Sequence, residues 1–125
     1  MYSFKKQERL CSLNLFKDLL ANGDSFFIYP FKCVWIENIN QSLPLVQIAF
    51  AIPKKKIRFA VNRNTIRRRT KEAYRLNKQQ LLKHLQENNK HLSILLIYAE
   101  KAEIDYCEIE NKIILILQRL INNVN

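Results

Sequence analysis

Residues 46 to 77 read VQIAFAIPKKKIRFAVNRNTIRRRTKEAYRLN, and two periodicities meet inside them. Val46, Ile48, Phe50 and Ile52 alternate with Gln47, Ala49 and Ala51, the period of a strand with one buried face. Pro53 ends that strand, because proline has no N–H for the ladder. Beyond the basic run, Asn62 or Asn64 can serve as the N-cap of a long helix that continues to about Gln86. On a helical wheel Arg63, Asn64, Arg67, Arg68, Lys71, Arg75 and Lys78 gather on one side, with Ile66, Thr70, Ala73 and Asn77 opposite. Such a helix docks through its small and apolar side and shows arginines on the other. Arg69 falls at the edge of the docking side, where its stem can snorkel.

Outward from this stretch the remaining elements follow. Ser12 caps a short helix through about Asn22, with Leu13, Phe16, Leu19 and Leu20 recurring at helical spacing. Gly23 then sits where a helix C-terminus favours positive φ. Phe26 to Glu37, rich in aromatic and β-branched residues, reads as a strand bent at Pro30. Asn38 to Ser42 is a polar loop. Ser93 to Tyr98 forms a short apolar strand of central character. Asp105 and Glu108 have capping-box spacing, and Ile109, Ile113, Ile116, Leu117 and Leu120 form the apolar face of a last helix. A chain of 125 residues is one domain by size. The fold class is α+β: a two-layer sandwich of three helices on a roughly four-stranded mixed sheet, in the order α-β-β-β-α-β-α.

Charge is concentrated where the strand gives way to the helix. The chain carries +10, from 21 basic and 11 acidic residues. Nine of the basic residues lie between Lys54 and Lys71, and the rest of the chain holds 12 basic against 11 acidic. No acid occurs between Asn38 and Lys71. A merely solvated face mixes signs, and like charges at i,i+4 such as Arg63/Arg67 and Arg67/Lys71 oppose the helix unless a partner neutralises them. The partner is therefore polyanionic. Arginine dominates the first turns of the helix, and its planar fork suits bidentate phosphate contacts and base stacking.

Other classes are excluded by what the chain lacks. Cys11, Cys33 and Cys107 form no C-x-x-C pair, so they read as reduced, mostly buried thiols of a cytoplasmic protein rather than a zinc site or a disulfide framework. No apolar stretch of signal length follows Lys5, Lys6 and Arg9. Leu92 to Ala99 is too short to span a bilayer, and the helix face opposite the arginines has no bulky lipid anchors. His84 and His91 read as surface histidines. Acidic residues are sparse and spaced as caps, so no catalytic residue and no metal site is expected in the protein itself.

The segment Lys55-Lys56-Ile57-Arg58-Phe59-Ala60-Val61-Asn62-Arg63-Asn64-Thr65-Ile66-Arg67-Arg68 resembles the signature of the bacterial ribonuclease P protein family: a paired lysine, Ala-Val, then Arg-Asn-Arg opening a basic helix. Lys71, Glu72, Ala73 and Tyr74 fit its continuation, and Arg9-Leu10, Phe16 and Gly23 match the family's first helix in spacing. The resemblance spans about Arg9 to Arg119. Arg58 stands in place of a frequent glycine, Thr65 in place of the second arginine, Leu20 in place of a second aromatic, and Glu100 in place of a frequent basic residue. Arg69 is a candidate to compensate for Thr65.

The resemblance implies a fold with a left-handed strand–helix–strand crossover. It implies a subunit that binds a large catalytic RNA and supports removal of the 5′ leader from precursor tRNA, with Mg²⁺ acting through the RNA and no obligate protein partner. The RNA-binding residues would be Lys55, Lys56, Arg58, Arg63, Asn64, Arg67, Arg68, Lys71 and Arg75. A cleft between the first helix and the sheet would hold the leader through Phe16 and Trp35, since unpaired bases stack on aromatic rings. A ribosomal or ribosome-assembly protein is the alternative, because the charge pattern alone fits it equally. A DNA-binding regulator and a stand-alone nuclease rank below both.

Overall fold

Residues 92 to 98 read LSILLIY, and so apolar a strand is stable only where both its faces are covered. The computed structural model, which describes residues 13–38 and 44–124 and side chains from Lys17 onward, places this strand inside the sheet. It is β4 (Leu92–Tyr98), flanked by β2 (Phe31–Glu37) and β3 (Val46–Ala51), with β1 (Asp24–Ile28) beyond β2. β2 is antiparallel to β1 and β4, whereas β3 runs parallel to β4. A parallel pair needs a crossover, supplied here by α2 (Ala60–Asn77) and α3 (Gln79–Glu87). α1 (Leu13–Asn22) precedes the sheet and α4 (Tyr106–Asn123) follows it. The class is α+β with a four-stranded mixed sheet, as the sequence indicates.

Strand alternation divides the apolar residues between two faces. Phe31 and Cys33 of β2, Val46 and Ile48 of β3, and Leu92, Ile94, Leu96 and Tyr98 of β4 join Ile66, Ala73 and Tyr74 of α2 and the buried side of α4 in the main core. That side of α4 is Ile109, Ile113, Ile116, Leu117 and Leu120, as its spacing predicts. The opposite face of the sheet carries a much smaller cluster, in which Leu19 of α1 packs on Val34 and Leu95.

Several local expectations are corrected. Phe26 to Glu37 is two strands of a hairpin, with Ile28 facing Phe31 across a two-residue turn at the cis Tyr29–Pro30 bond. The long helix is broken at Lys78. There the Asn77 side-chain amide donates to the Ala73 carbonyl at 2.8 Å, competing for the acceptor that the helical ladder uses. α2 begins earlier than Asn62, with Phe59 in the N-cap position and no side-chain cap. Asp105 does precede α4, but its side chain makes no cap bond. Gly23 does not have positive φ; it is required for space, since a Cβ there would lie 2.5 Å from the Leu19 carbonyl oxygen and 3.0 Å from that of Trp35. Ser12 and Cys11 lie outside the described residues.

Candidate nucleic-acid interface

The basic run forms a tight loop followed by one helix face. After Pro53, whose carbonyl accepts from the amides of Lys56 and Ile57, Lys54, Lys55 and Lys56 are all exposed. Ile57 is buried and pins the loop to the core. Arg63 reaches back from the first turn of α2, its Nη1 donating to the carbonyls of Ile57 at 3.1 Å and Arg58 at 2.9 Å. Arg58 lies with its guanidinium 5.6 Å from the centre of the Phe59 ring, and that ring is 60% exposed. The first turn of α2 contains no acid, so the positive end of the helix dipole adds to the lysines beside it.

Ile66, Thr70, Ala73 and Tyr74 face the core. Along the outer side Arg68 is exposed, and Arg67 donates to Asn64 Oδ1 at 2.9 Å. Lys71 is half-buried at this side's margin. Arg75 belongs to the same stretch but is held in a bidentate pair with Glu72, Nε to Oε1 at 2.8 Å and Nη2 to Oε2 at 2.7 Å. The guanidinium holds the Glu72 carboxyl below its ordinary range, and the carboxylate in turn raises Arg75.

Two cations expected on or near this face serve the fold instead. Lys78 is 2% exposed, with its ammonium 5.8 Å from the centre of the Tyr74 ring; the break at the end of α2 turns it inward, and a cation over an aromatic face offsets part of the burial cost. Arg69 donates to the Ile104 carbonyl at 2.9 Å and lies 3.5 Å from Glu103. It fastens the segment before α4 and so does not stand in for an arginine at Thr65. The histidines are also structural: buried His91 approaches the Pro44 carbonyl at 3.2 Å, and half-buried His84 meets that of Val124.

Trp35 does not line a cleft with α1. Phe31, Cys33 and Trp35 share one face of β2 by alternation, and Trp35 is half-buried against the main core under α2 and α4. The α1 side of β2 shows Lys32, Val34 and Ile36 instead. Phe16 falls on the opening turns of α1, whose side chains lie outside the described residues.

Sequence reading missed one row of residues on the α1 side. Phe27 pairs with Lys32, Lys32 with Ile97, and Ile97 with Ala51, so these four cross the sheet from β1 to β3 in one line. Phe27 is 55% exposed and Lys32 is exposed, with Ile97 and Ala51 half-buried. The neighbouring row contains Val34 and Leu95, which are buried beneath Leu19. Leu19 of α1 therefore closes over that second row; in the first, Ile97 and Ala51 pack against the same small cluster, while Phe27 and Lys32 stay exposed. At Ala51 the first row meets the strand end that leads into Lys54–Lys56. The signal available in the sequence was the odd-even alternation of residues 24–28, legible only once Tyr29–Pro30 is taken as a turn.

Among the described residues no group of three His, Cys, Asp or Glu side chains could hold a metal ion. Nor is any helix among them long and apolar enough to cross a membrane.

A sequence model of the family described as Ribonuclease P matches residues 4–121. The ribonuclease P protein component of Porphyromonas gingivalis is 28% identical over 98% of this chain and 90% of its own length. That of Chlorobium phaeobacteroides is 33% identical over 77% of this chain and 71% of its own. Among solved structures, the RNase P protein of Staphylococcus aureus superposes with a TM-score of 0.72 at 19% identity, covering 90% of this chain and 94% of that one. The Thermotoga maritima RNase P protein gives 0.71 at 21%, covering 90% and 96%.

Proposed function

The chain belongs to the ribonuclease P protein family, and from that premise we propose how its surfaces divide the work of a ribonucleoprotein that matures tRNA. The chain is the protein subunit of that particle and acts with an RNA partner; the ribosomal alternative, equal to it on charge alone, gives way to the family match. The reading proposed here is that Lys54–Lys56, Arg58, Asn64, Arg67, Arg68 and Lys71 bind the catalytic RNA in the bacterial cytoplasm. Arg63 shapes the loop that presents them. Phosphate contacts of this kind position a protein on RNA and are sequence-independent.

The 5′ leader of precursor tRNA then lies on the α1 side of the sheet, between α1, where Phe16 resides, and the row that begins at Ala51. Trp35 has no part in it. Mg²⁺ bound by the RNA supplies the hydrolysis, and the protein contributes charge neutralisation and a platform for unpaired nucleotides. The observation that supports this reading above others is the separation of sides on one element: α2 turns arginines outward from a loop of three exposed lysines, with its apolar side sunk in the core.

Reconstitution tests it. With a bacterial ribonuclease P RNA at low Mg²⁺, the protein restores removal of the leader that the RNA alone performs poorly. Rigorously purified protein without RNA leaves the precursor intact. RNA-free cleavage, or no stimulation of the RNA, would overturn the assignment.

A further inference from the structure

A phenyl ring on an edge strand gains nothing from water. Phe27 nonetheless exposes more than half its surface directly across from an exposed lysine. Directly opposed residues on one face of an antiparallel pair bring their Cβ atoms within about 4.5–5.5 Å, so the Phe27 ring and the Lys32 side chain leave the sheet side by side at the β1 edge. The same row continues through Ile97 to Ala51. Three strand spacings make it about 14 Å long. Its far end adjoins the lysine loop, so a chain held there by its phosphates can run along the row to Phe27. Along it the side chains offer an apolar floor, then a cation, then an aromatic face. Unpaired RNA presents the complementary sequence of features, a polyanionic backbone bearing flat bases.

We propose that Phe27 and Lys32 form a nucleotide subsite at the β1 edge, where an unpaired base of the leader stacks on the Phe27 ring while Lys32 neutralises the adjoining phosphate. This rests on the reading that the leader occupies the α1 side of the sheet, and it extends that path past α1 to the outermost strand. The subsite tolerates any base, because every base has a face to stack. It is reached only by leaders of several nucleotides.

The test uses the holoenzyme, the full chain with a bacterial ribonuclease P RNA, and precursor tRNAs that differ only in leader length. Phe27→Ala weakens binding of a precursor with a leader of several nucleotides by about tenfold and leaves a one-nucleotide leader near its wild-type affinity. Phe27→Tyr, which keeps the ring, restores the long-leader affinity. Lys32→Met lowers that affinity and reduces its salt dependence. Binding of the catalytic RNA stays unchanged in all three, and the exposure of both side chains keeps the variants folded. If Phe27→Ala protein binds long leaders as wild type does, while wild type still favours long over short, the subsite is wrong and the leader path stands. If wild type itself makes no distinction by leader length, the leader path falls and the subsite with it.

Discussion

Arg63 Nη1 donates to two successive loop carbonyls, those of Ile57 and Arg58, and so ties the basic loop to the helix that follows it. Its role thereby differs from that of Arg68, which is simply exposed. Arg63→Ala leaves two carbonyls without their donor and costs about 1 kcal/mol of stability, together with RNA affinity as the loop loosens. Arg68→Ala lowers RNA affinity alone. Denaturant titrations and RNA-binding isotherms on the two variants check the difference. Equal stability of Arg63→Ala and wild type would show that the loop holds its shape unaided.

Glu72 is the first acid after the basic run, and its carboxylate occupies both arms of the Arg75 fork. Glu72→Gln removes a negative charge from the basic side of α2 and releases Arg75 from that bidentate pair. RNA affinity should rise. A plot of log K against log salt should steepen by about 0.7–0.9, the increment for one more phosphate neutralised. Because the carboxyl is held below its ordinary range, wild type keeps the pair through mild acid, so the higher affinity of Glu72→Gln persists between about pH 5 and pH 8. An unchanged or shallower salt slope counts against Arg75 as a potential phosphate ligand.

The elements that the sequence exposed most clearly were those fixed by neighbours in the chain. Val46 to Ile52 announced β3 by strict alternation, Ile109 to Leu120 gave the buried side of α4, and Lys54 to Lys71 marked the candidate interface by charge alone. What stayed hidden depended on partners far along the chain. The side to which Trp35 points follows from the pairing of β2 with β4, about 60 residues away. Lys78 fell on the basic side and Arg69 at the edge of the docking side until the helix break at Lys78 and the Ile104 carbonyl claimed them. The family pattern implies a leader cleft beside α1, but it carries no register, so it could not say which residues of β2 this chain turns toward that helix.

Cys33 and Cys107 are chemically unlike, though both are free thiols. Burial pushes the Cys33 thiol up to about 12, whereas Cys107 is exposed on α4. Only thiolate is nucleophilic, so iodoacetamide at mildly alkaline pH alkylates Cys107 in the native protein and spares Cys33 until unfolding. The same shift has a sign in stability. The folded state holds the Cys33 proton more tightly than the unfolded chain, whose thiol ionises near pH 8.5. Stability from this group is full below about pH 8.5 and is lost as pH rises toward 12. Cys33→Ala flattens that part of the pH profile. Peptide mapping that finds Cys33 alkylated in folded protein would contradict its burial.

Trp35 supplies the sharpest separation between packing and recognition. It follows Phe31 and Cys33 on the face of β2 that meets α2 and α4, and the α1 side belongs to its neighbours Val34 and Ile36. Truncation to alanine therefore removes core contacts. A fully buried tryptophan costs about 3–5 kcal/mol on such truncation; a half-buried one should cost about 2 kcal/mol. Trp35→Phe, which keeps an aromatic ring against the core, recovers most of that. At a temperature where both variants remain folded, each should bind precursors with long and short leaders in the wild-type ratio, because the proposed leader path runs on the far side of the sheet. Circular dichroism in denaturant gives the first quantity and holoenzyme binding across a leader-length series gives the second. A stably folded Trp35→Ala protein that loses affinity for long leaders alone would place the leader on the α2 and α4 side, and the present assignment of faces would be wrong.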